Sequence, residues 1–383
     1  MTSTDVLDLP SWVAPPGGIS TRIVDESSRL AALQSEWEAL GGLLPSPMET
    51  YGWAMAAAAS VKGRQRPALV VAERDGAVSA VAQLARCRSW LADRMEIVGM
   101  GLLNEPADFA CADRDSLAAV VRRAIRLGRP ILLGRMPAES PTIELFRLAA
   151  RGHGLVVVRP QASCPFIPID STWGVPESHL SSRRRSDYRR AFRRAEQIGN
   201  VRAEILVPGP DDIDKLLDLA FAVEARSWKG AAGTALACDA IRGTFIREFA
   251  RWSSQTGILR IGLLRIGEAC AAMQIAAEHN GALWLLKIGF DPAFANCSPG
   301  NLLLAESLRF ATAKGLTSLE FLGTVEPWTR VWTDQERQCV SLRYYPFNHR
   351  GALGLLAESF EVCARRMWGK RAKRPTQPSE HDA

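Results

Sequence analysis

The feature that most constrains this chain is a repeat written in its glycines. A β-leaning apolar run from Ala68 to Glu73 meets a turn at Asp75-Gly76 and returns through Ala77 to Ala85. The same design recurs from Ile258 to Arg265, with a turn at Gly267 and a return through Cys270 to Ala277. Two such runs flanking a glycine turn read as a hairpin, and Asn280-Gly281 marks a further tight turn into a strand from Ala282 to Gly289. Beyond each hairpin a helical pattern stops at a glycine and opens a strand. One copy is AAVVRRAIRLG-RPILLG, with Gly128 and Gly134; the other is LLLAESLRFATAKG-LTSLEFLG, with Gly315 and Gly323. Glycine ends a helix because it adopts the left-handed conformation cheaply. Gly76 and Gly267 lie 191 residues apart, Gly128 and Gly315 lie 187 apart, and Gly134 and Gly323 lie 189 apart. Near-equal offsets of about half the chain point to a duplicated unit. The expectation is an α/β protein with two like domains, residues 20–165 and 166–370. Residues 1–19 are expected to form an N-terminal extension, and 371–383 a basic, polar, disordered tail.

Composition removes other classes. Of 383 residues, 47% are hydrophobic and 23% charged, which excludes a disordered or collagen-like chain. No window approaches the ~18 unbroken apolar residues of a membrane helix; even Gly257 to Ala277 carries Arg260, Arg265 and Glu268. The start MTSTDVLDLP lacks the basic and apolar regions of a signal peptide, so a cytoplasmic protein is expected. The eight cysteines are scattered singly and show no CxxC or Cys/His spacing, so neither a disulfide framework nor a metal site is expected.

The net charge of +6 is concentrated. Ser181 to Arg194, SSRRRSDYRRAFRR, holds seven arginines and one aspartate, and Arg365 to Arg374 adds six basic residues. The remaining chain is mildly acidic. Localised positive charge implies contact with an anionic partner at Arg183–Arg194 rather than a generally nucleic-acid-coating protein. Tyr188 and Phe192, four residues apart, share one helical face among the arginines.

The two copies differ just before the helix. In the second, FDPAFANCSPGNLLLAESLRF places Ser298, Pro299 and Gly300 at a helix entrance. Pro and Gly there leave amide N–H groups which, with the helix dipole, can hold a phosphate. Gly300 also lets a pyrophosphate approach the backbone. The first copy has DFACADRDSLAAVV at that point, with acidic residues and no glycine. If either copy binds a phosphorylated cofactor, it is the second.

The order strand, phosphate-type loop, helix, glycine, strand resembles the GNAT acetyltransferase superfamily. SSRRRSDYRRAFRRAEQIG from Ser181, EARSWKGAAGTALA from Glu224, LLKIGFDPAFANCSPGNLL from Leu285 and LEFLGTVEPWTRVW from Leu319 carry the likeness. They are similar to acetyltransferases of the cellulose and exopolysaccharide biosynthesis (CelD/BcsL) type, relatives of the Fem-type ligases. The resemblance implies two tandem GNAT-like domains, each a mixed, mostly antiparallel sheet flanked by helices. It also implies acyl transfer from acetyl-CoA to an amine or, less often, a hydroxyl, the acceptor being an amine such as that of an amino sugar or polysaccharide precursor. Leu285, Leu286 and Ile288 would pair with pantetheine, and Ser298, Pro299, Gly300 and Asn301 would take the pyrophosphate.

Acyl transfer needs a base and a donor to the developing oxyanion. Glu326, in the loop after Gly323, is the favoured carboxylate, with Glu320 in a supporting role and Lys287 an unusual charge inside an apolar strand. Trp228 and Lys229 would form a lid over sugar or CoA. Relatives commonly show Tyr-Lys after Glu-Pro, where this chain has Trp328-Thr329 and then Arg330. Trp328 and Arg330 are therefore candidate acceptor contacts, and the departure bears on the substrate. Two other functions fit the sequence. One is a Fem-like ligase using aminoacyl-tRNA held by the arginine helix, although no long heptad arm is present; the other is a non-catalytic scaffold in polysaccharide synthesis. The sequence sets neither the acceptor nor the oligomeric state.

Overall fold

The computed structural model describes residues 18–88, 93–227 and 239–372. Its first copy runs β1 (Ile19–Val24), α1 (Ser27–Ala32), α2 (Gln34–Glu38), α3 (Tyr51–Ser60), β2 (Gln65–Pro67), β3 (Leu69–Arg74), β4 (Ala77–Ala82) and β5 (Leu84–Cys87). It continues through β6 (Arg94–Ile97), β7 (Ala110–Cys111), α4 (Arg114–Ile125), β8 (Ile131–Pro137), α5 (Pro141–Ala149) and β9 (Gly154–Pro168). The second copy begins with α6 (Ser182–Ile198), β10 (Val201–Leu206), α7 (Ile213–Arg226), α8 (Ala240–Gln255), β11 (Leu259–Ile266) and β12 (Ala269–His279). It ends with β13 (Ala282–Phe290), α9 (Pro299–Ala313), β14 (Ser318–Glu320), β15 (Glu336–Pro346) and α10 (His349–Ala372).

The glycine signals are satisfied locally. Asp75 and Gly76 (φ 51° and 84°), and Asn280 and Gly281 (φ 47° and 71°), carry the paired positive φ of a type I′ hairpin turn. Gly128 and Gly315 (φ 62° and 68°) follow α4 and α9 in the left-handed conformation.

Duplication is also visible in the sheet. Antiparallel hairpins dominate each copy, and each has a parallel pair of strands at an equivalent place. Met95 of β6 pairs with Ile131 of β8, and Ala282 of β13 pairs with Ser318 of β14. The partners are 36 residues apart in both cases (95 to 131, 282 to 318), and the pairs lie 187 apart. Both copies therefore build the same split from equivalent strands.

The copies are not separate bodies. An 11-stranded sheet has the order β10-β11-β12-β13-β14-β9-β15-β8-β6-β5-β2, and β1-β3-β4-β7 forms a smaller sheet. β9 passes through the expected boundary at 165/166: its start pairs with β15 and its end with β14, Phe166 opposite Glu320. β15 in turn pairs with β8 of the first copy. Beneath the sheet, one apolar core takes residues from both copies, including Trp53, Phe245, Phe249, Leu263 and Leu286. Trp53 stands edge-on to Phe245 and Phe249, with ring centroids 4.7 and 5.0 Å away. An apolar interface of this kind fixes the relative placement of two domains.

Candidate active site

The site begins where β13 and β14 part. Their pairing covers Ala282–Trp284 against Ser318–Glu320 and then stops. β13 continues to Phe290 with β12 as its sheet partner, and it is bulged: Ile275 faces Lys287 and Ala276 faces Leu285, leaving Leu286 without a cross-strand partner. A bulge re-aims a strand. Here it turns Leu285 and Ile288 to one side, and both line a cavity of about 430 Å³. Met273, Leu303 and Leu304 form an apolar wall beside the amide of Gln274, while Ser298, Pro299, Gly300 and Asn301 form the rim, and Trp328 lines the same cavity. The volume lies in the range of small-molecule sites, roughly 300–1,000 Å³.

The rim suits an anion. Ser298 occupies the left-handed region (φ 44°, ψ 52°) and makes no side-chain cap on α9. Beyond its chain neighbours and the backbone of α9 itself, no atom lies within 4 Å of the position a Cβ on Gly300 would take. In the first copy the equivalent helix is closed: the Asp113 carboxylate accepts from the Asp115 and Ser116 amides. The N-terminus left open thus belongs to the copy that also has the cavity.

α6 flanks the same rim. This helix of 17 residues buries Ala191 and Ala195. It leaves Arg183, Arg184, Arg189, Arg190, Arg193 and Arg194 exposed. Arg194 donates to the carbonyl of Asn296 (3.3 Å), just before the rim, and Arg184 to that of Arg330 (3.1 Å). Tyr188 is half-buried, and Phe192 stands 38% exposed among the charges.

The first copy contributes a group that the sequence did not reveal. Glu105, in the loop between β6 and β7, accepts a hydrogen bond from the Gly323 amide (3.1 Å) through Oε2. Burial pushes its carboxyl up to about 7; the Gly323 bond and the charges of Lys287 and Arg135 act in the opposite direction. Buried Arg135 donates to the carbonyls of Asn104 (2.8 Å), Ala162 (3.1 Å), Ser163 (3.3 Å) and Gly323, tying the loop to β9 and to the turn after β14. Leu322 and Gly323 in that turn have φ of 56° and 51°. Glu105 and Gly323 are 218 residues apart, so no local pattern signals their meeting.

The sequence candidates fall into distinct environments. Leu285, Ile288, Ser298, Pro299, Gly300, Asn301 and Trp328 line one cavity. Asn301 also accepts from the Trp332 indole (3.0 Å), and Trp328 packs edge-on to Phe321 at 5.4 Å. Leu286 instead joins the core shared by the two copies. Glu320 is 2% exposed and committed: Arg337 donates to both of its oxygens (2.9 and 2.6 Å) and Ser318 to one (2.7 Å). Glu326 is exposed and accepts from Thr324 (3.2 Å), while its backbone opens the turn containing Thr329. Arg330 pairs with Asp334 and Glu336. Lys287 is half-buried beside the split. Trp228 and Lys229 lie outside the described residues, as does most of the 371–383 tail.

Among the described residues, no group of three His, Cys, Asp or Glu side chains is placed to hold a metal, and no helix is long and apolar enough to cross a membrane. Cys87, Cys111, Cys164, Cys270, Cys297 and Cys339 are free thiols.

Residues 182–330 match the family model described as an acetyltransferase (GNAT) domain. Comparison with curated protein sequences gives no match. Among solved structures the chain is similar to FemX, with a TM-score of 0.58 and 12% identity over 84% of this chain and 98% of that one. It is also similar to the C-terminal domain of a putative lysylphosphatidylglycerol synthetase from Agrobacterium fabrum (TM-score 0.53, 9% identity, 86% and 96% covered). L-PGS from Bacillus licheniformis follows (TM-score 0.52, 12% identity, 87% and 96% covered). At these identities the likeness is one of fold. The architecture is a mixed α/β fold of two like halves whose mostly antiparallel strands are flanked by helices, and the residues matched to the GNAT domain lie in the second half.

Proposed function

We propose that this protein is an acyltransferase that moves an acyl group from a CoA thioester, acetyl-CoA in the simplest case, to an amine on an amino sugar or polysaccharide precursor. The observation that carries this reading is the coincidence of three things in one copy. A strand edge opens from Leu285 onward, an apolar cavity lies beside it, and an uncapped helix N-terminus stands at its rim. The match of residues 182–330 to a GNAT domain supports it.

The residues fit such a donor. Backbone groups of Leu285 to Ile288 would pair with the two amides of pantetheine, as a sheet edge does with an added extended segment. The amide at Gly300, where a side chain is missing, would meet the pyrophosphate. Arg194 and its neighbours on α6 add positive potential at the same mouth. When bound, the thioester supplies an activated carbonyl; the chain's task is to orient it, exclude water and take the proton released by the acceptor. Glu320 is tied to β15 through Arg337, while Trp328, packed edge-on to Phe321, closes part of the donor cavity.

A second reading changes only the donor. The exposed arginines of α6, which outnumber what a pyrophosphate needs, favour an aminoacyl-tRNA in a Fem-like ligase. Calorimetry with acetyl-CoA, CoA and bulk tRNA at two salt concentrations separates the two. Saturable CoA binding with weak salt dependence supports the first reading. tRNA binding that collapses with salt, without CoA binding, supports the second, and a protein binding neither behaves as a scaffold.

A further inference from the structure

The arms of the split are joined by a carboxylate from the other copy. Ile288 packs with Leu285 and Leu304 on the α9 side, whereas a Cβ on Gly289 would point at Glu224 of α7, and Lys287, two residues earlier, shares the Gly289 side. The donor cavity therefore lies on one side of β13 and Lys287 on the other. Glu105 is within the electrostatic reach of Lys287 on one arm and hydrogen-bonded to Gly323 at the end of the other. It thus stands at the turn that ends β14, where the strands part, and lines a small pocket with Gly134, Arg135 and Phe245 rather than the donor cavity.

Its position is built rather than incidental. Arg135 holds the preceding carbonyl, Asn104, from β8. Arg242 of α8 holds Leu102 in the same loop (2.7 Å). Asn104 itself has φ 60°, a conformation that costs an asparagine little but is rarely adopted without cause. The titratable and charged groups whose fields reach the carboxyl are Lys287 on β13, Arg135 on β8, and the thiols of Cys164 on β9 and Cys339 on β15.

We propose that Glu105, supplied by the first copy, is the catalytic base of the second copy's acyl transfer; this assignment rests on the acyltransferase reading. The acceptor arrives as an ammonium. Glu105 takes one proton from it, the freed nitrogen lone pair attacks the thioester carbonyl, a C–N bond forms and the C–S bond breaks. The sulfur leaves with the bonding pair and takes the second proton from nitrogen, giving amide and free thiol. Glu105 then returns its proton to water. Lys287 favours the ionised carboxylate that starts the cycle, and the Gly323 amide aims it.

The test uses the full-length protein and Glu105→Gln. Glutamine keeps an oxygen to accept from Gly323, so a purely structural tie survives while the base is lost. Thiol release from acetyl-CoA is followed with glucosamine, and with water alone, as the acceptor between pH 5 and 9. The expected result is unchanged CoA affinity and urea midpoint, with turnover down roughly 10²–10⁴-fold. The wild-type rise in kcat/KM with pH, centred near 7, should be absent. Glu105→Asp should recover part of the rate. If Glu105→Gln keeps the rate and the same pH limb, the assignment is overturned; it is equally overturned if CoA affinity and stability fall together, which marks a structural tie. A wild-type protein that binds no CoA overturns the acyltransferase reading at an earlier step, and the assignment with it.

Discussion

Replacing Gly300 with valine isolates the phosphate-facing surface from the fold. Beyond its own helix and chain neighbours, a Cβ at this position meets nothing within 4 Å, so a side chain here has open space at the rim of the cavity. Position 300 is the second residue of α9, where the conformational cost of glycine is removed and that of a β-branched residue is added, a change within about 1 kcal/mol. Binding is different. A charge-assisted hydrogen bond to an anion contributes about 1.5–3 kcal/mol, and every ~1.4 kcal/mol is tenfold in Kd. Loss of one amide contact should therefore weaken CoA by roughly 10- to 100-fold, with Gly300→Ala falling in between. Calorimetry with CoA and with pantetheine, which lacks the pyrophosphate, reads the effect, and thermal unfolding confirms an unchanged fold. CoA should weaken while pantetheine holds. Equal affinity for CoA in folded Gly300→Val, or a parallel loss for pantetheine, would refute the placement of the pyrophosphate.

Arg337→Ala should destabilise the protein by an amount at the lower end of about 3–5 kcal/mol, because it strands the buried Glu320 carboxylate while Arg337 itself is half exposed; the urea midpoint reports it. Gly52→Ala places a Cβ 1.9 Å from the Trp252 ring between α3 and α8, and should cost about 1–3 kcal/mol in calorimetric stability. Glu326→Gln should leave kcat within a few-fold and act, if at all, on the acceptor KM, since Glu326 is exposed and bonded to its own turn. Burial lowers the pKa of His279, whose ring bonds the Leu44 carbonyl (2.9 Å). Below the ordinary histidine value the unfolded chain then binds more protons than the folded one, so stability should fall with pH there, and His279→Gln should flatten that part of the curve.

Which features were legible in the sequence follows from how far apart their partners lie. The hairpins, the glycine-ended helices and the Ser298–Asn301 rim are local, determined by turn chemistry over a few residues, and they stand where the pattern put them. Strand alternation also set Glu320 apart from Leu319, but it gave no hint of Arg337, which arrives on β15 and occupies both of its oxygens. Leu286 turned away from the cavity because a bulge broke the alternation that a simple reading of the strand assumes. Glu105 was out of reach for another reason: in sequence it is a lone carboxylate in a loop, and its significance comes from Gly323 and Lys287 in the other half of the chain.

The strand exchange at the centre of the sheet has a consequence for biosynthesis. β8 of the first copy completes its pairing with β15, so Leu133 waits for Leu342. While the chain is still emerging, the first copy therefore carries an unsatisfied edge and an uncovered core, the kind of surface on which nascent chains misassociate. Pairing so distant in sequence is also slow to form. A ribosome stalled before residue 339 should hold a first half that remains protease-sensitive and chaperone-bound, and release past residue 346 should be the step at which both halves become protected together.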